Sequence, residues 1–384
     1  MNKDTKDYAG SEKIAIKSGK DALSTAPWLY DRRFKKSGFF VELRENNRVH
    51  PDYYSTHCVD GVGTKLFLAP WSKNFSSLSI DGINMNANDK ATLLHADPDT
   101  INIYIAAQKE IEEKYMGEIM MGVVNGLSLM ETENNDWNIN IGKIETASLD
   151  EMISLGIQGQ GYDLGIVMTG FIRKDKVPNL KPRPGNFIIG VSSTGLHSNA
   201  YTDARHIFFT QDVEYRDEWK SQYHGRFNLN DKPEILQGKS VLEAMVVPTA
   251  SYFAEARAVG NALDDRDIFG INITGGGFSN FNRAGENLSF EITDPLAPLP
   301  IHILLAQESK WSAEKMYKKQ NMGMGFAYIA PSLRAVGKII EIIQSRGDHY
   351  AHVVGRVVHN PEGGLKTVIP KTYSGESVTI RGYL

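Results

Sequence analysis

YSTHCVDGVGTK, residues 54–65, is the stretch whose reading decides the fold. Its first half alternates β-branched, aromatic and small side chains in the manner of a buried strand and stops abruptly at Asp60-Gly61. The second half places two glycines around Val62, where backbone can approach a ligand and positive φ is tolerated. Amides between those glycines can face a phosphate, Lys65 can supply positive charge, and Asp60 can hold Mg²⁺. The spacing is neither that of a Walker A loop nor that of the Rossmann GxGxxG. On its own, the stretch could equally be an ordinary glycine turn. A strand delivering a glycine loop points to an α/β chain.

Working outward, residues 101–107 (INIYIAA) and 163–172 (DLGIVMTGFI) read as strands, and 106–128 as a helix with Glu110, Glu113 and Lys114 on its solvated face. Residues 79–89 alternate apolar and polar groups and read as a short strand ending in Asn84-Met85-Asn86-Ala87-Asn88-Asp89, an oxygen-rich cluster suited to Mg²⁺ or, alone, to capping the next helix. Residues 1–50 read as a charged lead-in with a helix-like stretch near 13–23. Residues 173–185 (RKDKVPNLKPRPG) carry three prolines and a closing glycine, which cannot continue a helix. The domain boundary is therefore placed near residue 175, giving domains 1–175 and 176–384. Beyond it, 186–193 (NFIIGVSS) restarts as a buried strand, 240–263 reads as one helix with Pro248 near its start, and 350–358 as a strand. Residues 332–345 form an amphipathic helix with Leu333, Val336, Ile340 and Ile343 on one face and Gly347 closing it. Residues 212–232 read as a surface insertion.

Composition narrows the function class. The 384 residues are 41% hydrophobic and 23% charged, which excludes a disordered chain or a disulfide scaffold. The 42 basic against 46 acidic residues demote nucleic acid as a partner. The single cysteine, Cys58, forbids an intrachain disulfide and fits a reducing cytosol; inside its strand it reads as a buried, inert thiol. No apolar run approaches the roughly 18–20 residues of a membrane helix, and the charged first residues lack the apolar core of a secretory signal. A cytoplasmic protein without membrane contact is expected. Further small or polar clusters stand at Gly195-Leu196-His197-Ser198-Asn199, Thr274-Gly275-Gly276-Gly277-Phe278 and Asn321-Met322-Gly323-Met324-Gly325, each a ligand loop or a plain turn. A lone His197 is more often a structural donor than a base, Glu145 alone reads as a surface carboxylate, and Met322 and Met324 read as core filler.

In order, DGVGTK, IDGINMNAND, Ala-acid-Pro, Glu-Thr-Ala, Tyr-Asp-Leu, TGLHSNAY, PTASY, TGGGF and NMGMGF resemble the aminoimidazole ribonucleotide synthetases, the phosphoribosylformylglycinamidine cyclo-ligases, over about residues 54–358. The resemblance implies a two-domain α/β (α+β) fold whose N-terminal sheet forms a barrel across a homodimer, with a C-terminal α+β domain completing the substrate cleft. It implies ATP and Mg²⁺ as cofactors and a small-molecule ribonucleotide as substrate. The implied reaction closes the imidazole ring of formylglycinamidine ribonucleotide in purine biosynthesis, after phosphorylation of the amide oxygen. Carried over by residue, Asp60, Asp89 and Glu145 would hold metal, and Asp60, Gly61, Gly63, Thr64 and Lys65 would bind the nucleotide. His197, Ser198, Asn199, Gly275 and Gly276 would line the ribonucleotide side, with Lys65, Asp89 and His197 catalytic.

The chain departs from the family's pattern in four places. Lys143-Ile144 replace a glycine pair before Glu-Thr-Ala, and Ser148-Leu149-Asp150-Glu151 replace Glu-Met-Pro-Gly. His95 stands at a glycine position with one extra residue before it, and the glycine-rich loop over ATP is reduced to Lys36-Ser37-Gly38-Phe39-Phe40. These changes leave two rivals: a paralogous ATP-dependent kinase or synthetase acting on another small molecule, and a non-catalytic nucleotide-binding relative.

Overall fold

The computed structural model describes residues 38–46, 49–109, 111–131, 139–153, 157, 159–214 and 216–383, together with residue 18. The helix expected near 13–23 lies outside the described residues. Two sheets organise the chain. The first comprises β1 (Glu42–Glu45), β2 (Tyr53–Gly61), β3 (Asp97–Ala107), β4 (Asn140–Ser148) and β5 (Tyr162–Arg173) in the order β1-β2-β5-β3-β4. All its pairs are antiparallel except β3 with β4. The second comprises β6 (Phe187–Ser192), β7 (Phe269–Asn272), β8 (Leu288–Ile292), β9 (Met324–Ala330), β10 (Ala351–His359), β11 (Leu365–Ile369) and β12 (Val378–Arg381) in the order β12-β11-β8-β10-β6-β9-β7.

Glycine at 63 takes φ +67°, and a 3-10 turn over Gly63–Phe67 carries the chain from β2 into α1 (Leu68–Ser72). Helices α2 (Phe75–Ala91) and α3 (Glu113–Ser128) then cover one face of the first sheet. They pack closely because Gly122 and Gly126 leave no β-carbon against Ser76, Ser79 and Ile83. The strands alternate cleanly: Thr56 and Cys58, Ile103 and Ile105, Leu164 and Ile166 are buried under these helices. The opposite face carries Val59, Tyr104 and Val167, all substantially exposed.

Residues 79–89, expected as a strand, lie inside α2. Asn84, Asn86 and Asn88 are buried there beside Ile83 and Ala87, so the helix has no polar face and its period is hidden. The helix expected over 240–263 is two, α6 (Val241–Met245) and α7 (Phe253–Leu263), parted around Pro248. The helix expected from 106 starts only at Glu113, because β3 runs to Ala107. Residues 212–232 are more than a surface insertion. They hold α5 (Asp217–Lys220), a Glu214–Arg216 ion pair with Glu214 1% exposed, and a buried Tyr223 that accepts a hydrogen bond from Arg205. Helix α4 (Tyr201–Phe208) follows β6; α8 (Pro300–Ser309) and α9 (Ala313–Lys319) precede β9. The amphipathic helix is α10 (Leu333–Arg346), closed by Gly347 at φ +77°, although Leu333 itself is exposed. No helix among the described residues is long and apolar enough to cross a membrane.

Candidate active site

The register of the second sheet gathers three loops at one of its ends. Ser192 pairs with Met324 and Asn272 with Phe326, so the turn after β6, the turn after β7 and the turn before β9 emerge together. These are the segments of His197–Asn199, Gly275–Gly276 and Asn321–Gly323. Helix α2 of the first sheet lies against them.

What binds α2 there is a set of side chains at 81, 84 and 88, spaced to share one helical face, that address the backbone of residues 247–252. Asp81 Oδ1 accepts from the Thr249 amide (2.6 Å), Asn84 Nδ2 donates to the Thr249 carbonyl (2.7 Å), and Asn88 both donates to the Ala250 carbonyl and accepts from the Tyr252 amide (2.8 Å each). The break around Pro248 exists in this sense to serve α2: a continuous helix would have spent those groups on itself.

Lys65 enters the same network. Its ammonium is fully buried, 2.5 Å from Asp81 Oδ2, and donates to the carbonyls of His197 (2.8 Å) and Val247 (2.7 Å). An ammonium has three N–H groups, and all are committed. Burial lowers the Lys65 pKa and Asp81 opposes that shift. The expectation that Lys65 contacts phosphate is thus corrected: the side chain turns inward and braces the loop that carries His197. Asp81, which the sequence reading did not single out, is the hub, since Ser198 Oγ also donates to it (2.9 Å).

His197 sits at φ +57°, a conformation that costs a non-glycine residue energy. Its ring is buried against Gly325, where a β-carbon would overlap both the imidazole and the Tyr252 hydroxyl. Among the described residues Nε2 has no hydrogen-bond partner. Burial, reinforced by Lys65, His302 and His349, holds its pKa well below the ordinary value, so the ring is neutral. Asn199 is buried and its amide reaches the Ile273 carbonyl at 3.5 Å, at the start of the Gly275 turn.

The exposed rim is made of other groups. Gly61 and Gly63 are exposed, and the space above Gly63 is open. Thr64 Oγ1 lies 2.8 Å from Thr202 Oγ1, joining the glycine loop to the first turn of α4, a helix without a side-chain cap. Gly275 is exposed and Gly276 buried. Asp60 is half-buried, with Oδ1 accepting from the Gly61 amide (2.8 Å). Asp89, half-buried, accepts from Asn272 (2.9 Å). Both carboxylates lie near enough to Cys58 to push its thiol upward. Burial, the larger cause, and these charges together bring it to about 12 against the opposing Lys90, an inert thiol as expected.

Glu145 does not join them. It pairs in register with Tyr104, on the face of the first sheet turned away from α2, and its carboxylate is 2.6 Å from Lys143. Among the described residues no group of three or more His, Cys, Asp or Glu side chains is arranged for a metal. His95 also lies elsewhere, packed on Gly260 and near Asp264 (3.7 Å).

No family model matches the chain. It is 32% identical over 313 residues to a phosphoribosylformylglycinamidine cyclo-ligase of Methanococcus maripaludis strain C7, covering 81% of this chain and 80% of the relative. The chain belongs to the phosphoribosylformylglycinamidine cyclo-ligase family. The family's protein of that name in Methanocaldococcus jannaschii is 32% identical over 324 residues, 83% of either chain. Solved structures of similar fold include a chain of a HypE–HypF complex (TM-score 0.56, 12% identity, 94% of this chain and 99% of that one). Another is AaThiL complexed with AMPPCP and TMP (TM-score 0.55, 12% identity, 100% and 98%). A third is T. maritima PurL complexed with FGAR (TM-score 0.52, 12% identity, 90% and 47%). Cyclo-ligase family membership and fold thus agree with a two-sheet α/β chain, one of whose sheets has a bare face.

Proposed function

We propose that this chain closes the imidazole ring of formylglycinamidine ribonucleotide to give aminoimidazole ribonucleotide, at the expense of ATP, in purine biosynthesis. The observation that carries the reading is the open Gly61–Thr64 backbone facing the uncapped first turn of α4 across the Thr64–Thr202 contact. Gly63 offers backbone beneath open space, and the first turn of α4 adds N–H groups without intrahelical partners, which is what a phosphate chain requires. The Gly63 turn and that helix end would hold the transferred phosphoryl group in line with the amide oxygen of the substrate. Phosphorylation makes that oxygen a leaving group; the amidine nitrogen attacks the carbon, and phosphate departs.

Asp60 and Asp89 are the residues that would hold Mg²⁺. A nucleotide-bound Mg²⁺ takes one or two carboxylates beside phosphates and water, and Asp60 and Asp89 are half-buried carboxylates whose charges both reach Cys58. When bound, the ion neutralises phosphate charge. Asn272 orients Asp89 through its hydrogen bond. The His197 loop, braced by Lys65, shapes the ribonucleotide side together with Ser198, Asn199, Gly275 and Gly276, and the neutral imidazole serves as a hydrogen-bond partner. The division near residue 175 separates the nucleotide half from the half that completes the cleft. The face bearing Val59, Tyr104 and Val167, with the Lys143–Glu145 ion pair among them, is open on this chain, and a second copy of the chain is its partner in a homodimer.

The test is release of ADP from Mg-ATP with and without formylglycinamidine ribonucleotide, with assay of the aminoimidazole product. Substrate-dependent ADP together with product supports the reading. ATP binding without product overturns the substrate and leaves the paralogous kinase or synthetase.

A further inference from the structure

Arg283 ends the 3-10 helix Gly277–Arg283 that follows the Gly275–Gly276 turn. Its guanidinium lies 4.1 Å from the ring centroids of both Phe40 and Tyr383. Nε donates to Asn280 Oδ1 (3.2 Å), and one terminal nitrogen donates to the Tyr383 hydroxyl. A guanidinium carries five N–H groups. The others have no acceptor among the described residues, and no carboxylate there pairs with this cation. Arg216 and Arg257 are answered by acids, Glu214 and Asp97, whereas the buried Arg205, like Arg283, is met by an aromatic ring and a tyrosine hydroxyl. Arg283 is half-buried, and among the described residues no anion offsets its charge.

The rings lie against the guanidinium, Asn280 and Tyr383 take two of its five N–H groups, and the rest of its edge meets no acceptor among the described residues. That edge is the fork that matches two oxygens of a phosphate, and stacking has already fixed the side chain, so little ordering remains to be done on binding. Its position is also telling. Asn280 Oδ1, which accepts from Arg283, accepts from Thr274 Oγ1 as well (3.4 Å), tying the guanidinium to the turn of Gly275 and Gly276. Arg283 further lines a narrow crevice with Gly38, Thr92 and Gly270, beyond the end of the helix that carries Asp89.

We propose that Arg283 receives the phosphate monoester of the sugar-phosphate substrate. The assignment rests on the reading above, in which the Gly275 turn faces the ribonucleotide. It is tested without turnover, by calorimetric titration of the full chain with ribose 5-phosphate and, separately, with ATP. Arg283→Met should weaken ribose 5-phosphate binding about ten- to a hundredfold, the range for losing a charge-assisted hydrogen-bonded pair, and leave ATP affinity unchanged. Arg283→Lys, which keeps the charge but not the fork, should fall between and serves if the methionine variant does not fold. Equal ribose 5-phosphate affinity in wild type and variants overturns the proposal, as does parallel loss of ATP or no binding by the wild-type chain. A chain that forms no aminoimidazole product but still loses ribose 5-phosphate with Arg283→Met would refute the ring-closure reading and keep this one.

Discussion

Lys65→Met is the substitution that most sharply separates a brace from a phosphate ligand. In the fold, the ammonium is fully buried with Asp81 and two carbonyls as partners. Methionine fills much the same volume without the charge, leaving Asp81 buried and short of its cation. Breaking a buried pair by removing one partner costs about 3–5 kcal/mol. Asp81 keeps the Thr249 amide and the Ser198 hydroxyl, so the lower end, about 3 kcal/mol, is expected. At roughly 2–4 °C per kcal/mol for domains of 150–250 residues, that is about 6–12 °C in thermal midpoint. The double variant Lys65→Met/Asp81→Asn, which also removes the stranded carboxylate, should recover at least half of the loss. Thermal melts of Lys65→Met, Asp81→Asn, the double variant and the parent supply the cycle, with ATP affinity measured alongside. A midpoint shift of under 2 °C combined with a large loss of ATP affinity would refute the inward placement and return Lys65 to the phosphates.

Two further predictions use other parts of the site. Asp89→Asn should abolish most ADP release while leaving the thermal midpoint within a few degrees, because Asn272 can still hydrogen-bond the amide oxygen; turnover at the parent rate would remove Asp89 from metal binding. His302 is buried and its pKa is lowered to about 4 by burial, whereas an unfolded histidine titrates near 6.5. Between those values the unfolded state binds the proton and the folded state does not, so stability falls as pH drops from about 6.5 to 4. His302→Gln should flatten part of that slope in denaturant unfolding curves taken across the window, and an unchanged slope would show that the histidine is not held neutral.

Much of the architecture was legible in the residues. The strands around 54–59, 101–107, 163–172 and 350–358 alternate or run apolar because one or both faces are covered, and period-2 patterns report that directly. Helix α2 was not legible: asparagines at 84, 86 and 88 serve partners 80 or more residues away, and a helix buried by hydrogen bonds rather than by an apolar stripe has no periodic mark. The same physics hid Asp81 and the inward turn of Lys65, since a charged residue beside glycines looks alike whether it faces phosphate or a buried carboxylate. Glu145 misled for a simpler reason. Sequence proximity to the motif says nothing about which face of a sheet a side chain takes, and the pairing with Tyr104 settles it.

The bonds from α2 to residues 247–252 carry a consequence for motion. Together with the Lys65 ammonium on the Val247 carbonyl, they join the two halves of the molecule through buried amides and carbonyls, none of which tolerates being pulled apart without water reaching it. The seam therefore behaves as a weld rather than a hinge, and the halves cannot part like the covers of a book to admit a substrate. Entry and exit fall to the rim instead, where short loops can shift while the welded floor stays still.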